Sequence, residues 1–353
     1  MSRSPTTAST RPVPARQASR SPSYHRPIPE LGGLRYTAGL DVSQVTLDLA
    51  IRDATTKDVV RDATVGNDAE GITARLAHLT TWSPTLLVLE ATGPYHAPVL
   101  EALVTAKQPV ALVNPAQVKA FRQMQLGRTQ TDRQDARLLA HFAAVHHAEL
   151  RRYQPSGAKH AQLAAWVRYR ESLVAESTRL KAQQHAAHWQ HDRPVRDWIA
   201  ERLRETRAHL ADLDRQIATL LAEFPEATVL TEMLGVGVTV AATVLGFLPL
   251  AVWGHTKAAS AYAGVPPHVE QSGQRSRSWM RKSGHAPLRR VLYMAALVTI
   301  THDGPLADFY QHLLNRGKRP MVALVAVMHK LLRRMMGRLK TCYRTRNEAP
   351  LAA

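Results

Sequence analysis

Cysteine is all but absent: Cys342 is the only one in 353 residues. Disulfides within the chain and cysteine cages for zinc are thereby excluded, and a reducing compartment is expected. Long apolar runs are missing as well. A membrane-spanning helix needs about 18 to 20 apolar residues in succession, whereas "MVALVAVMHKLL" is interrupted by His329 and Lys330 and then by Arg333. The expectation is a protein that neither spans a membrane nor is exported. Aromatics are scarce at 6%, but apolar content of 45% can still fill real cores, and the length allows two or three compact units. Acidic residues are the other shortage, 28 against 46 Lys plus Arg, which leaves a net charge of +18. Lysine itself is rare: 10 of those basic residues are Lys and 36 are Arg. A GC-rich genome would give this bias without function. As physical chemistry, the surplus implies a polyanionic partner, and guanidinium groups fork phosphate and guanine and stack on bases, so nucleic acid fits best.

Residues 1–35 are rich in Ser, Pro and Arg, with one acid, Glu30. Their charge resembles a transit peptide but their periodicity does not, so a disordered basic tail is expected. From Tyr36 three strand-like runs, "YTAGLDVS", "TLDLAIRD" and "DVVRDATVG", suggest a meander. A helix over about 69–82, a strand in "TLLVLEATG", a helix near 95–107 and a strand in "PVALVNP" follow. That order predicts a mixed α/β sheet over 36–155. Over 156–226 the texture is helical only. Leu203, Thr206, Leu210, Leu213, Ile217, Leu220 and Phe224 alternate at three and four, the seam of a coiled-coil hairpin, with Pro194 near the second helix's start. A third unit, 227–345, is helical and basic, and 346–353 reads as a tail. No internal repeat is visible.

In "TQTDRQDARLLAHFA", Asp132 and Asp135 stand about one turn apart at the start of a helix. Such a pair either favours the helix dipole, with Arg133 and Arg137 near enough for surface ion pairs, or shares a cation. Asp41 ends the first apolar strand and Glu90 the fourth. If those strands are neighbours, four carboxylates converge, and hard oxygen donors at that density suit Mg²⁺ or Mn²⁺. Asp48, Asp53, Asp58 and Asp62 read as solvated on the meander. His185, His188 and His191 recur at a spacing of three, which an exposed helix face explains without zinc.

The ordered motifs "GLDVS", "VLEATGPYH", "VNPAQVKAFRQ" and "TDRQDA" resemble the DEDD transposases of the insertion-sequence one-ten and eleven-eleven groups. The resemblance covers about 36–345. It implies an RNase H-like domain akin to the Holliday-junction resolvase RuvC, with Asp41, Glu90, Asp132 and Asp135 as catalytic metal ligands.

In "LTEMLGVGVTVAATVLGFLP", Gly235 and Gly237 flank Val236 in what reads as a helix-hairpin-helix. The glycines either let the backbone approach a phosphate or simply turn between core helices. Family members often carry proline where Leu234 stands. The stretch "AYAGVPPHVEQSGQRSRSWMRKSGHAPLRRVLYMAA" crowds Arg275, Arg277, Arg281, Lys282, Arg289 and Arg290 onto a loop leading into a helix, a phosphate-facing surface with Trp279 and Tyr262 available for stacking. From the residues alone, Ser272, Ser276, Ser278 and Ser283 are equivalent phosphate or turn ligands. The resemblance singles out Ser272 as a nucleophile.

It further implies a recombinase that moves its own insertion sequence by transesterification, guided by a bridge RNA that pairs with donor and target DNA. A homo-oligomer, dimer or tetramer, in the bacterial cytoplasm at the nucleoid completes that expectation. Two rivals use the same residues differently: a hydrolytic junction resolvase, and a catalytically silent RNA-binding protein.

Overall fold

The computed structural model describes residues 34–91, 93–125, 131–189, 192–253, 255–266, 268–272, 275–279 and 284–348, without the side chains of Ala251, 268–279 and 344–348. Most of the 1–35 tail, most of the 346–353 tail, and Arg281, Lys282 and Ser283 lie outside the described residues. Two compact units divide between Pro155 and Ser156.

In the first unit, β1 (Tyr36–Val42), β2 (Thr46–Asp53) and β3 (Val59–Gly66) form an antiparallel meander. Asp68 caps α1 (Ala69–Trp82) by accepting from the Gly71 N–H at 2.8 Å. β4 (Leu86–Glu90), α2 (Ala97–Thr105), β5 (Val110–Val113), α3 (Pro115–Met124) and α4 (Asp132–His146) complete it. The sheet order is β3-β2-β1-β4-β5, with β4 and β5 parallel to the first strand. This is the mixed sheet the sequence predicts. "LLVLE" is apolar without alternation because both its faces are covered: Leu87 and Leu89 pack in one core with α1 and α2, and Leu86 and Val88 in another with α3 and α4. Arg75, fully buried, ties the meander to α1 by donating to the carbonyls of Leu47 (2.9 Å) and Ala63 (2.6 Å).

The second unit begins with two long helices, α5 (Ala158–Trp189) and α6 (Arg193–Ala222). They run antiparallel, as the ion pairs Lys159–Glu223 and Arg170–Asp214 require. Leu203, Thr206, Leu213, Ile217 and Leu220 of the seven-residue seam are buried, and Leu210 is partly so. Next come α7 (Pro225–Thr231), α8 (Val238–Phe247), a 3-10 turn at Leu250–Val252 and α9 (Thr256–Ala263). β6 (His268–Ser272) and β7 (Arg275–Trp279) follow, then α10 (Ala286–Ile300), α11 (Pro305–Asn315) and α12 (Pro320–Glu348). One apolar core joins the base of the helical pair to α8, α10 and α12.

Two local expectations change. The basic stretch read as a loop is a two-stranded antiparallel ribbon, β6 against β7, in which Ser272 pairs with Arg275 and Glu270 with Arg277. Backbone pairing, for which polar side chains are no obstacle, replaces the missing apolar pattern. The last helix continues to Glu348, past the point where a tail was expected.

Candidate active site

Small residues bring the acids together. Gly39 of β1, Ala50 of β2, and Ala136 and Ala140 of α4 meet where the helix crosses one face of the sheet. The Thr37 hydroxyl donates to the Ala140 carbonyl at 2.9 Å, fixing the helix lengthwise. With residue 140 beside residue 37 and residue 136 beside residue 39, the first turn of α4 falls beside Asp41. Thr131 caps that turn, accepting from the Gln134 N–H, so Asp132 and Asp135 start the helix as the sequence predicts. Across the parallel pair, Leu40 is level with Leu89, which sets Asp41 level with Glu90 on the same face.

The electrostatics register this convergence. Burial pushes the Asp41 carboxyl up to about 7 from 3.8, and Asp135, Asp132, Glu90 and Asp48 each add to the rise. Glu90 and Asp135 are also raised, first by burial, against the opposing pull of Arg122. Five carboxylates therefore share one region. Hard oxygen donors of this kind fit a divalent cation, which would relieve the mutual repulsion. Among the described residues, though, no three potential ligands are yet drawn close enough to hold an ion.

Arg122, at the end of α3, holds Asp135 at 2.7 Å. The sequence pattern singles out neither Arg122 nor Asp48. Asp48, expected in solvent, is only 3% exposed: it is the cross-strand partner of Asp41, lies under α4 and accepts from the Thr64 hydroxyl at 2.5 Å. A covering helix turns the polar face of "TLDLAIRD" inward. Asp62 is likewise not free in solvent but paired with Arg137. Of the other two, Asp53 accepts from the N–H groups of Thr55 and Thr56 in a turn, and Asp58 is exposed. Arg133 and Arg137 thus reach β3, at Thr64 and Asp62, instead of pairing along their own helix.

In the second unit the predicted nucleic-acid ligands separate. Ser272, Arg275 and Arg277 lie on the β6–β7 ribbon. Arg289 donates to the Ala263 carbonyl at 3.3 Å, at the end of α9, and Arg290 pairs with Glu171 at 2.7 Å while staying largely exposed. One face of Tyr262 is stacked on His285, 5.7 Å between centroids. Gly235 has φ +80° and lies against α10; Gly237 is the N-cap of α8, with open space where a side chain would be.

Residues 38–188 match a family profile described as Transposase, of the DEDD IS110 type, and residues 227–311 one described as Transposase IS116/IS110/IS902 family. The chain is 27% identical to the pilin gene-inverting protein of Moraxella lacunata over 314 residues, covering 83% of this chain and 92% of the relative. For the protein of that name from Moraxella bovis the figures are 27% over 318 residues, 83% and 92%. A solved T. thermophilus RuvC, in complex with a Holliday junction substrate, is 17% identical with a TM-score of 0.28, covering 34% of this chain and 99% of that one. The protein is a transposase, an enzyme that recombines DNA. It belongs to the IS116/IS110/IS902 family, whose two profiles between them span most of the chain. Among the described residues no helix is long and apolar enough to cross a membrane.

Proposed function

We propose that this transposase is an RNA-guided recombinase of its own insertion sequence, in which Asp41, Glu90, Asp132 and Asp135 hold Mg²⁺ or Mn²⁺ and Ser272 is the nucleophile. The observation that carries the reading is the gathering of those four acids around Asp41, with the Asp41 carboxyl raised to about 7 by burial and by the other acids. When bound, a divalent ion would polarise the scissile phosphate and neutralise charge developing on its oxygens. Ser272 Oγ then bonds to phosphorus as the bond to the leaving strand breaks, and the serine proton ends on the released hydroxyl. The phosphoserine conserves the bond energy for rejoining. Inversion of a gene, which the relatives' name describes, requires every cut end to be rejoined, and this favours a conserved covalent link over hydrolysis.

The rest of the chain serves binding. The ribbon arginines Arg275 and Arg277, with Arg281, Lys282, Arg289 and Arg290 after them in the sequence, grip phosphates, and the α7–α8 turn at Gly235 and Gly237 is a helix-hairpin-helix contact to the backbone. A net charge of +18 suits a structured bridge RNA as well as donor and target DNA. The antiparallel α5–α6 pair is a coiled coil through which the chain assembles as a dimer or tetramer. The wild-type protein, incubated with a nicked DNA substrate and divalent metal, should give a denaturant-stable adduct whose phosphate maps to the peptide containing Ser272. Ser272→Ala should bind DNA and RNA yet form neither adduct nor recombinant. Cleavage by Ser272→Ala at the wild-type rate, leaving free ends, would instead make water the nucleophile and the protein a resolvase.

A further inference from the structure

We infer that Arg122, whose guanidinium holds the Asp135 carboxylate at the end of α3, is a tethered counter-cation of the acidic site that a divalent ion must displace. The inference rests on the metal reading above. Arg122 and Asp135 are 22% and 19% exposed, so the pair is shielded from water far more than an ordinary surface ion pair. Arg122 also acts on Glu90, at the end of β4. It therefore contacts one of the proposed ligands and lies within electrostatic reach of a second.

That position is built. The helix carrying Arg122 starts directly after β5, where Asn114 and Gln117 form a reciprocal capping box with Pro115 in the first turn. Its other end is pinned through the preceding residue: the buried Phe121 ring packs edge-on against Phe142 (5.3 Å) and His146 (5.7 Å) of α4. The backbone of Arg122 is thus anchored against the helix that carries Asp135, and only the long side chain is free to swing. A guanidinium keeps its proton and cannot ligate a metal. It and the ion compete for the same carboxylate oxygens, and exchanging one positive charge for two pays for breaking the ion pair.

The test is calorimetric titration of the full chain, free of nucleic acid, with Mn²⁺. Arg122→Gln, which cannot compete, should bind Mn²⁺ about tenfold more tightly than the wild type, equivalent to ~1.4 kcal/mol. Arg122→Lys should fall between them, because an ammonium lacks the fork that matches a carboxylate. Equal or weaker binding by Arg122→Gln overturns the inference and leaves the metal reading standing; no binding by either protein overturns the metal reading itself. A measurement on the wild type alone guards against a variant that fails to fold. Modification of Arg122 by phenylglyoxal, read by peptide mass, should accelerate when Mn²⁺ is added. An unchanged or slower rate refutes displacement.

Discussion

Gly39 of β1 lies against Ala136 of α4 with no room for a methyl group between them. A Cβ at residue 39 would stand 2.6 Å from the Leu139 Cβ and nearer still to the Ala136 carbonyl. Backbone atoms cannot step aside, so Gly39→Ala must lift the helix and carry Asp132 and Asp135 away from Asp41. The expected cost is about 1–3 kcal/mol of stability, the usual range for overpacking. Strand cleavage should fall much further than DNA binding, since no phosphate-binding arginine is touched. Thermal unfolding and a cleavage assay on the same preparation check both; wild-type cleavage would show that the close approach does not matter to the site.

Asp41 should oppose the metal-free fold. Its folded acid constant, about 7, lies above the unfolded value of 3.8, so the native state holds a proton that the unfolded state has lost. Stability contributed by that proton is present below about pH 4 and is lost as the pH rises towards 7. Asp41→Asn removes the titration. In metal-free buffer at pH 8 it should therefore be more stable than the wild type, by roughly 2 kcal/mol after allowing for solvent screening, while cleavage disappears. A variant that melts below the wild type would count against this electrostatic picture.

His285 gives a pH dependence of the opposite sign. Burial pushes its imidazole down to about 4, helped by the positive charges of Arg168 and Arg289. Its Nδ1 is buried without a hydrogen-bond partner, and its ring lies between Tyr262 and Phe247. Between pH 6.5 and 4 only the unfolded chain binds the proton, so stability falls as the pH drops through that window. His285→Phe keeps an aromatic ring and removes the proton site. At pH 7.5 it should unfold within about 1 kcal/mol of the wild type, and between pH 7.5 and 5 it should lose roughly 1 kcal/mol less, after allowing for solvent screening. Parallel pH profiles for the two proteins would refute the assignment.

These sites differ in how far the sequence exposes them. Asp41 and Glu90 stand out because an acid at the end of an apolar strand has few ordinary explanations, and the sheet itself follows from alternation and turn residues. Asp48 sits in a strand whose alternation is as regular, and its polar face would normally meet water. Only the packing of α4, nearly ninety residues later, turns that face inward. Arg122 is hidden for the same reason: its partner is chosen by the packing of one helix on another. The β6–β7 ribbon is held by backbone bonds that side-chain pattern does not announce.

Gly235 and Gly237 look equivalent in "LGVGVT" and should behave oppositely. Gly235 has φ +80°, and a Cβ there would come within 2.6 Å of the Ala295 carbonyl and of the Thr299 hydroxyl, which itself bonds the carbonyls of Ala295 and Leu234. Gly235→Ala therefore meets strain in the backbone and a collision with α10, and should cost about 1–3 kcal/mol. Any loss of DNA binding should follow that unfolding. Gly237 is different: it adopts an extended conformation at the start of α8, makes no side-chain cap and has open space where a Cβ would go. Aspartate at an N-cap accepts from the first helical N–H groups and favours the dipole, so Gly237→Asp should leave stability unchanged or raise it by a few tenths of a kcal/mol. The same carboxylate would repel a phosphate seated on that helix end. DNA binding at low salt should then weaken by about tenfold, the ~1.4 kcal/mol of one lost phosphate contact. Stability up with binding down marks Gly237 as a nucleic-acid contact; unchanged affinity would make the turn purely a connection between core helices.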